Sequence, residues 1–148
     1  STIYDVPLLM KKEKLDQVIN SCQERSLFST ALLFWIIALV IEVTLRIFDL
    51  YKTVPEVDLL SHLFAGIAIA ASLFWLSEKW KWTHYRGIAI VGTIIISLLW
   101  ELAESLQEML FYNPPHLLDF FIWDGFVDVI IAFVGAIIFV LVRKKNKT

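Results

Sequence analysis

Four long, predominantly apolar stretches, residues 27–48, 59–77, 86–110 and 120–142, constrain this chain more than any other feature. A helix needs about 20 such residues to cross a hydrocarbon core roughly 30 Å thick, and each stretch reaches that length. Backbone groups in lipid must be satisfied internally, and runs of this length and apolarity do so as helices. Between the runs lie Tyr51 to Pro55, Glu78 to Tyr85 and Asn113 to His116, short connectors of breaker or interfacial residues. Short connectors make neighbouring spans antiparallel. Composition agrees, since 58% of the 148 residues are hydrophobic and only 19% charged, against about 45–50% apolar in soluble domains. The expected fold class is all-α: a polytopic membrane protein with four transmembrane helices in an antiparallel bundle.

Ahead of the first span, residues 8–25 put Leu8, Leu15, Val18, Ile19 and Cys22 at near-helical spacing behind Asp5 and Pro7. That pattern predicts an amphipathic helix lying at the membrane interface. The organisation expected is a cytoplasmic amphipathic segment (1–26), a four-helix transmembrane domain (27–142) and a basic cytoplasmic tail (143–148). The segment lacks the basic-then-apolar layout of a cleavable signal peptide, so insertion is expected to rely on the first span. Gly66 with Ala70, and Gly135 with Ala132 and Ala136, read as close-packing positions.

Charge gives a sidedness. The N-terminal segment, the second connector with its edges and the tail together hold eleven of the thirteen basic residues, Lys79, Lys81, Arg86 and Arg143 among them. Four spans require these three regions to share one side, and the positive-inside rule makes it the cytoplasm. Both termini are therefore expected inside, with the protein integral to the cytoplasmic (inner) membrane. The opposite end keeps only Arg46 and Lys52 against ten of the fifteen acidic residues, a local formal charge of −8. Trp80, Trp82 and Tyr85 fit an inner aromatic belt, and Phe111, Tyr112 and Trp123 an outer one. A formal net charge of −2 excludes a strongly basic nucleic-acid binder. Cys22 is the single cysteine, so no intramolecular disulfide and no paired-cysteine motif can form.

Each span also carries ionisable residues, which cost a few kcal/mol apiece inside a membrane. On the first, Glu42, Arg46 and Asp49 stand at i, i+4, i+7, and on the second, Asp58 and His62 at i, i+4. On the third, Glu101, Glu104 and Glu108 stand at i, i+3, i+7 beside Gln107, and on the fourth, Asp124 and Asp128 at i, i+4. These spacings align each set on one helical face. The sets fall late in helices one and three and early in two and four, hence at one depth near the outer surface. Turned inward, they make an acidic pocket with Arg46 for positive charge, though Glu42 and Arg46 are expected mainly to pair with each other. So many carboxylates can share a low-dielectric site only by sharing protons or binding a cation. The metal-ligand candidates are Asp58, His62, Glu101, Glu104, Asp124 and Asp128, and the candidate catalytic groups are Glu101, Glu104 and Asp124. Oxygen-rich ligation with one imidazole suits Mg²⁺, Mn²⁺, Zn²⁺ or Fe²⁺. The competing reading of His62 is a single hydrogen bond to Asp58; His84 and His116 lie in connectors and read as incidental.

At these residues the chain resembles the VanZ-like and YjdF-type small integral membrane proteins of bacteria, over about residues 57–142. Asp58-Leu59-Leu60-Ser61-His62 is similar to that family's Asp-x-x-x-His opening, and Trp100-Glu101-Leu102-Ala103-Glu104 with Gln107 to its Glu-x-x-Glu/Gln element. Asp124 and Asp128 ahead of Gly135 resemble its terminal acidic helix. The resemblance implies a polytopic helical fold, an acidic site on these residues and an association with glycopeptide (teicoplanin) resistance. It implies no defined reaction.

Three functions are compatible with the pattern. A metal-dependent enzyme would act at the outer face on a lipid or lipid-linked envelope substrate, the metal polarising an oxygen or activating water. A non-catalytic accessory subunit or ligand-binding protein would instead dock a larger membrane complex. A proton or cation pathway would need polar residues reaching the inner side. There the inner halves offer little beyond Ser72, Thr93 and Ser97, so a through-path would require an oligomer. The partners implied are the bilayer together with a lipid-linked substrate or a membrane-protein partner, and no nucleic acid.

Overall fold

A computed structural model describes residues 6–48, 50, 57–111 and 118–145. They form four helices: α1 (Val6–Ile47), α2 (Asp58–Lys79), α3 (Tyr85–Phe111) and α4 (Leu118–Lys145). Each contains a stretch long and apolar enough to cross a membrane, and no strand occurs among the described residues. Asp49, the first and third connectors and the side chain of Glu108 lie outside the described residues.

The expected interfacial helix and first span are a single element. Nothing from Leu8 to Ile47 is Gly or Pro, so nothing interrupts the hydrogen-bond ladder. At 1.5 Å per residue the 42 residues of α1 reach about 63 Å, twice the thickness of a bilayer core. Residues 8–25 are thus helical as expected, but they continue the span in line. Leu15, Val18 and Ile19 are more than half exposed there.

Packing centres on α2, which contacts α1, α3 and α4, while α3 and α4 also contact each other. Small residues make this geometry reachable. A Cβ added at Gly66 would overlap the Ala132 carbonyl, and one at Gly135 would overlap the Leu63 carbonyl. The α2 and α4 backbones therefore approach as closely as side chains permit, the small-residue packing that substitutes in lipid for a hydrophobic drive between helices. Ala70, Ala71 and Ala136 are fully buried in the core these helices share. Within it Phe74 fills the half of the bundle nearer the α2–α3 turn, edge-on to Tyr85 (4.9 Å between ring centroids) and to Phe139 (5.8 Å). The outward faces stay apolar and exposed, Leu39, Trp100 and Leu141 among them, as a lipid-facing surface requires.

The turn from α2 to α3 is tightly specified. Trp82 N–H donates to the Ser77 carbonyl (2.9 Å) and Lys81 N–H to the Glu78 carbonyl (3.1 Å). With Lys81 at φ 56° this is a Schellman C-cap. It turns the chain back within five residues and makes α3 antiparallel to α2.

Candidate functional site

The beginnings of α2 and α4 and the C-terminal half of α3 meet at one end of the bundle, so the polar sets share one depth as expected. His62 stands at their centre. Its Nε2 lies 3.7 Å from Asp58 Oδ1, one turn earlier on α2, and 3.7 Å from Asp128 Oδ2 on α4. Its Nδ1 faces Glu101 Oε1 on α3, also at 3.7 Å. Three helices thus surround one imidazole with three carboxylates. The side chains of His62, Glu101 and Asp128 are exposed by only 16%, 16% and 7%, so the imidazole and its closest carboxylates are largely enclosed by protein.

Asp58, His62 and Asp128 each offer a ligand atom within 4.8 Å of the others. Two donors about 2.1 Å from one ion at a tetrahedral angle stand roughly 3.4 Å apart, so the 3.7 Å spacings at Nε2 need only a small contraction to bind one. Glu101 occupies the position of an outer carboxylate. By accepting the Nδ1 proton it would leave the Nε2 lone pair free for a metal, the carboxylate–histidine–metal pattern that orients a ligand ring. Two species satisfy this geometry: a divalent ion on the Nε2 side, or an imidazolium sharing its protons with the carboxylates.

Ser61 supports Asp58, its hydroxyl donating to the Asp58 carbonyl (2.9 Å) and to Oδ1 (3.2 Å). Nothing in the sequence reading singles out Ser61; its signal is the Asp-x-x-Ser spacing, one helical turn. Arg46 Nε donates to Glu42 Oε1 at 2.6 Å, the same-helix pair expected, and its guanidinium also reaches Glu104 Oε1 on α3 at 3.7 Å. Glu104 therefore faces Arg46 and is not among the three ligand-bearing groups. Asp124 is exposed and makes no ion pair or hydrogen bond among the described residues. The reason is geometric: α2 begins at Asp58, level with Asp128, and one turn further out α4 has no α2 to pack against.

Away from this end the hydroxyls of the spans are satisfied, whereas the buried Trp75 Nε1 has no hydrogen-bond partner among the described residues. Ser72 bonds the Ala68 carbonyl and accepts from Trp35 Nε1 (3.1 Å), and buried Thr93 bonds the Ala89 carbonyl. These hydroxyls bond their own helices, Ser72 also tying α1 to α2, and among the described residues they form no chain linked to His62. Gly125 on α4 faces Glu101: an added Cβ would lie 3.0 Å from Oε2. No protein-family model, curated protein or solved structure matches the chain.

Proposed function

We propose that this chain is a small integral membrane protein that holds one divalent metal ion on Asp58, His62 and Asp128 and uses it on a lipid or lipid-linked envelope substrate. The observation that carries the reading is the convergence of three ligand atoms from two different helices within 4.8 Å, with Asp128 buried and Asp58 and His62 partly so. Mg²⁺, Mn²⁺, Zn²⁺ and Fe²⁺ all suit such a donor set. In this reading Glu101 orients His62, while Glu104 and Asp124, one turn nearer the aqueous phase, pass protons between site and water. A bound ion would polarise a substrate oxygen or activate a water. The distribution of Lys and Arg supports a cytoplasmic location for both termini and an outward-facing site in the cytoplasmic membrane. The resemblance to VanZ-like proteins supports the same set of residues, Asp58, His62, Glu101, Glu104, Asp124 and Asp128.

A non-catalytic subunit of a larger membrane complex is the second reading. The broad uncovered face of α3 favours it, with Val91, Ile95, Leu98 and Leu102 each more than half exposed. Copurification of a stoichiometric membrane partner would support it.

Elemental analysis of the detergent-purified protein tests the first reading. The wild type is expected to carry one equivalent of metal, and an Asp58→Asn, Asp128→Asn double variant almost none. Glu101→Gln should weaken retention by about 10- to 100-fold, the usual cost of losing an outer-sphere partner. A wild type that stays metal-free after reloading with Mg²⁺, Mn²⁺, Zn²⁺ and Fe²⁺ would sink the proposal and leave the cluster as a shared-proton site.

A further inference from the structure

A groove of about 520 Å³ runs between the outer halves of α3 and α4, within the size range of small-ligand sites. Leu98 and Val129 line its deep end, Glu101 and Gly125 its middle, and Ser105 and Trp123 its rim. From Leu98 to Ser105 the wall rises roughly 10 Å along α3. Leu98, Leu102 and Phe126 are each more than half exposed, so this side of the groove opens where the spans meet lipid. Glu101 is the acidic group in the wall and joins the groove to the His62 cluster. Oε1 faces the imidazole, whereas Oε2 points toward Gly125, where any side chain would crowd it.

We propose that this groove takes a membrane lipid carrying an ammonium head group, which reaches the His62 cluster sideways from the bilayer. Charge selects the occupant. Among the described residues, no lysine or arginine lines the groove. Around it Glu42, Asp58, Glu101, Glu104, Asp124 and Asp128 outnumber Arg46 so far that even a bound divalent ion leaves the region net negative when they are ionised. An anionic head would be repelled, and an uncharged one would forgo the attraction. An ammonium donates its protons to Glu101 Oε2 in a charge-assisted hydrogen bond, and its chain passes Leu98 and Val129 into the bilayer. Glycine at position 125 is what keeps that carboxylate oxygen reachable. The inference rests on reading the His62 cluster as the functional end of the protein, and it adds the class of ligand and the route by which it arrives.

The test uses three long-chain probes of equal length, an amine, an alcohol and a fatty acid, each with a diazirine next to the head group. They are photolysed with the full-length protein in neutral maltoside micelles, and the labelled peptides are mapped by mass spectrometry. The amine is expected to label residues 98–105 and 123–129 about tenfold more than the acid, equivalent to roughly 1.4 kcal/mol. Glu101→Gln should reduce that preference at least threefold, and Ser105→Trp, which closes the rim, should lower labelling by all three probes. Equal labelling by the three probes, labelling elsewhere on the bundle, or a preference undiminished in Glu101→Gln each overturns the inference. Metal content measured on the same samples separates it from the metal reading. Metal without charge preference overturns the lipid inference alone, and amine-selective labelling of a protein that takes up no metal overturns the metal reading alone.

Discussion

His62 is central because it stands one turn below the start of α2, where α3 and α4 both come within reach. That is also why Asp124 and Asp128, indistinguishable by spacing, differ in surroundings: one turn along α4 separates a group buried against α2 from one beyond its end. Asp128→Asn is accordingly expected to lower metal retention at least tenfold and Asp124→Asn much less, as read by elemental analysis of the two variants side by side. The helical spacing made each polar face legible in the sequence but not which groups touch, since contact depends on the height at which the neighbouring helix begins. The same holds for Glu104, which meets Arg46 on α1 once the bundle is assembled. Two backbone positions give predictions independent of the site. Gly66→Val should destabilise the protein by about 2 kcal/mol or more, because the clash is with main-chain atoms of Ala132 that cannot step aside. Lys81→Gly should stabilise it by about 1 kcal/mol by relieving a left-handed conformation that glycine adopts freely. Thermal unfolding in detergent reads both.

At the scale of elements, four runs of apolar residues became four helices because lipid leaves a chain of this pattern little alternative. The joining of the N-terminal segment to the first span was harder to see. Hydropathy changes sharply near residue 26, yet the backbone responds to helix breakers and there are none, so α1 continues through the change. Its consequence is measurable at Cys22, which is exposed and 20 residues before Glu42. That separation is about 30 Å of helix, one bilayer thickness. Cys22 is therefore expected to react with a membrane-impermeant maleimide from the side opposite the His62 cluster, only after permeabilisation if the termini are cytoplasmic. Reaction in intact cells would reverse the proposed sidedness. Equally hidden in the sequence was the central position of α2. Gly66 and Ala70 mark a close-packing face but do not say which helix fills it; that follows from Gly135 and Ala132 presenting a matching face on α4.

For the molecule as a whole, the ligand-bearing groups tie together the same two helices whose backbones come together at Gly66 and Gly135. An ion held by Asp58 and His62 on α2 and Asp128 on α4 would bind the folded bundle and not the separated helices, so metal should raise stability by mass action. At a free concentration 100 times Kd the gain is about 2.7 kcal/mol. A rise in unfolding temperature on adding metal, absent in Asp58→Asn, is the expected result; the same rise in the variant would place the ion elsewhere. The α2–α4 seam also bears on how the protein is made. The partner that buries Asp58 and His62 leaves the ribosome after both α2 and α3. Until α4 arrives, the newly inserted chain must carry an aspartate and a histidine in the bilayer with their principal shield missing. A nascent chain arrested before residue 118 is thus the form most in need of the insertion machinery's shelter, and the one a membrane quality-control protease would find easiest to distinguish from the finished protein.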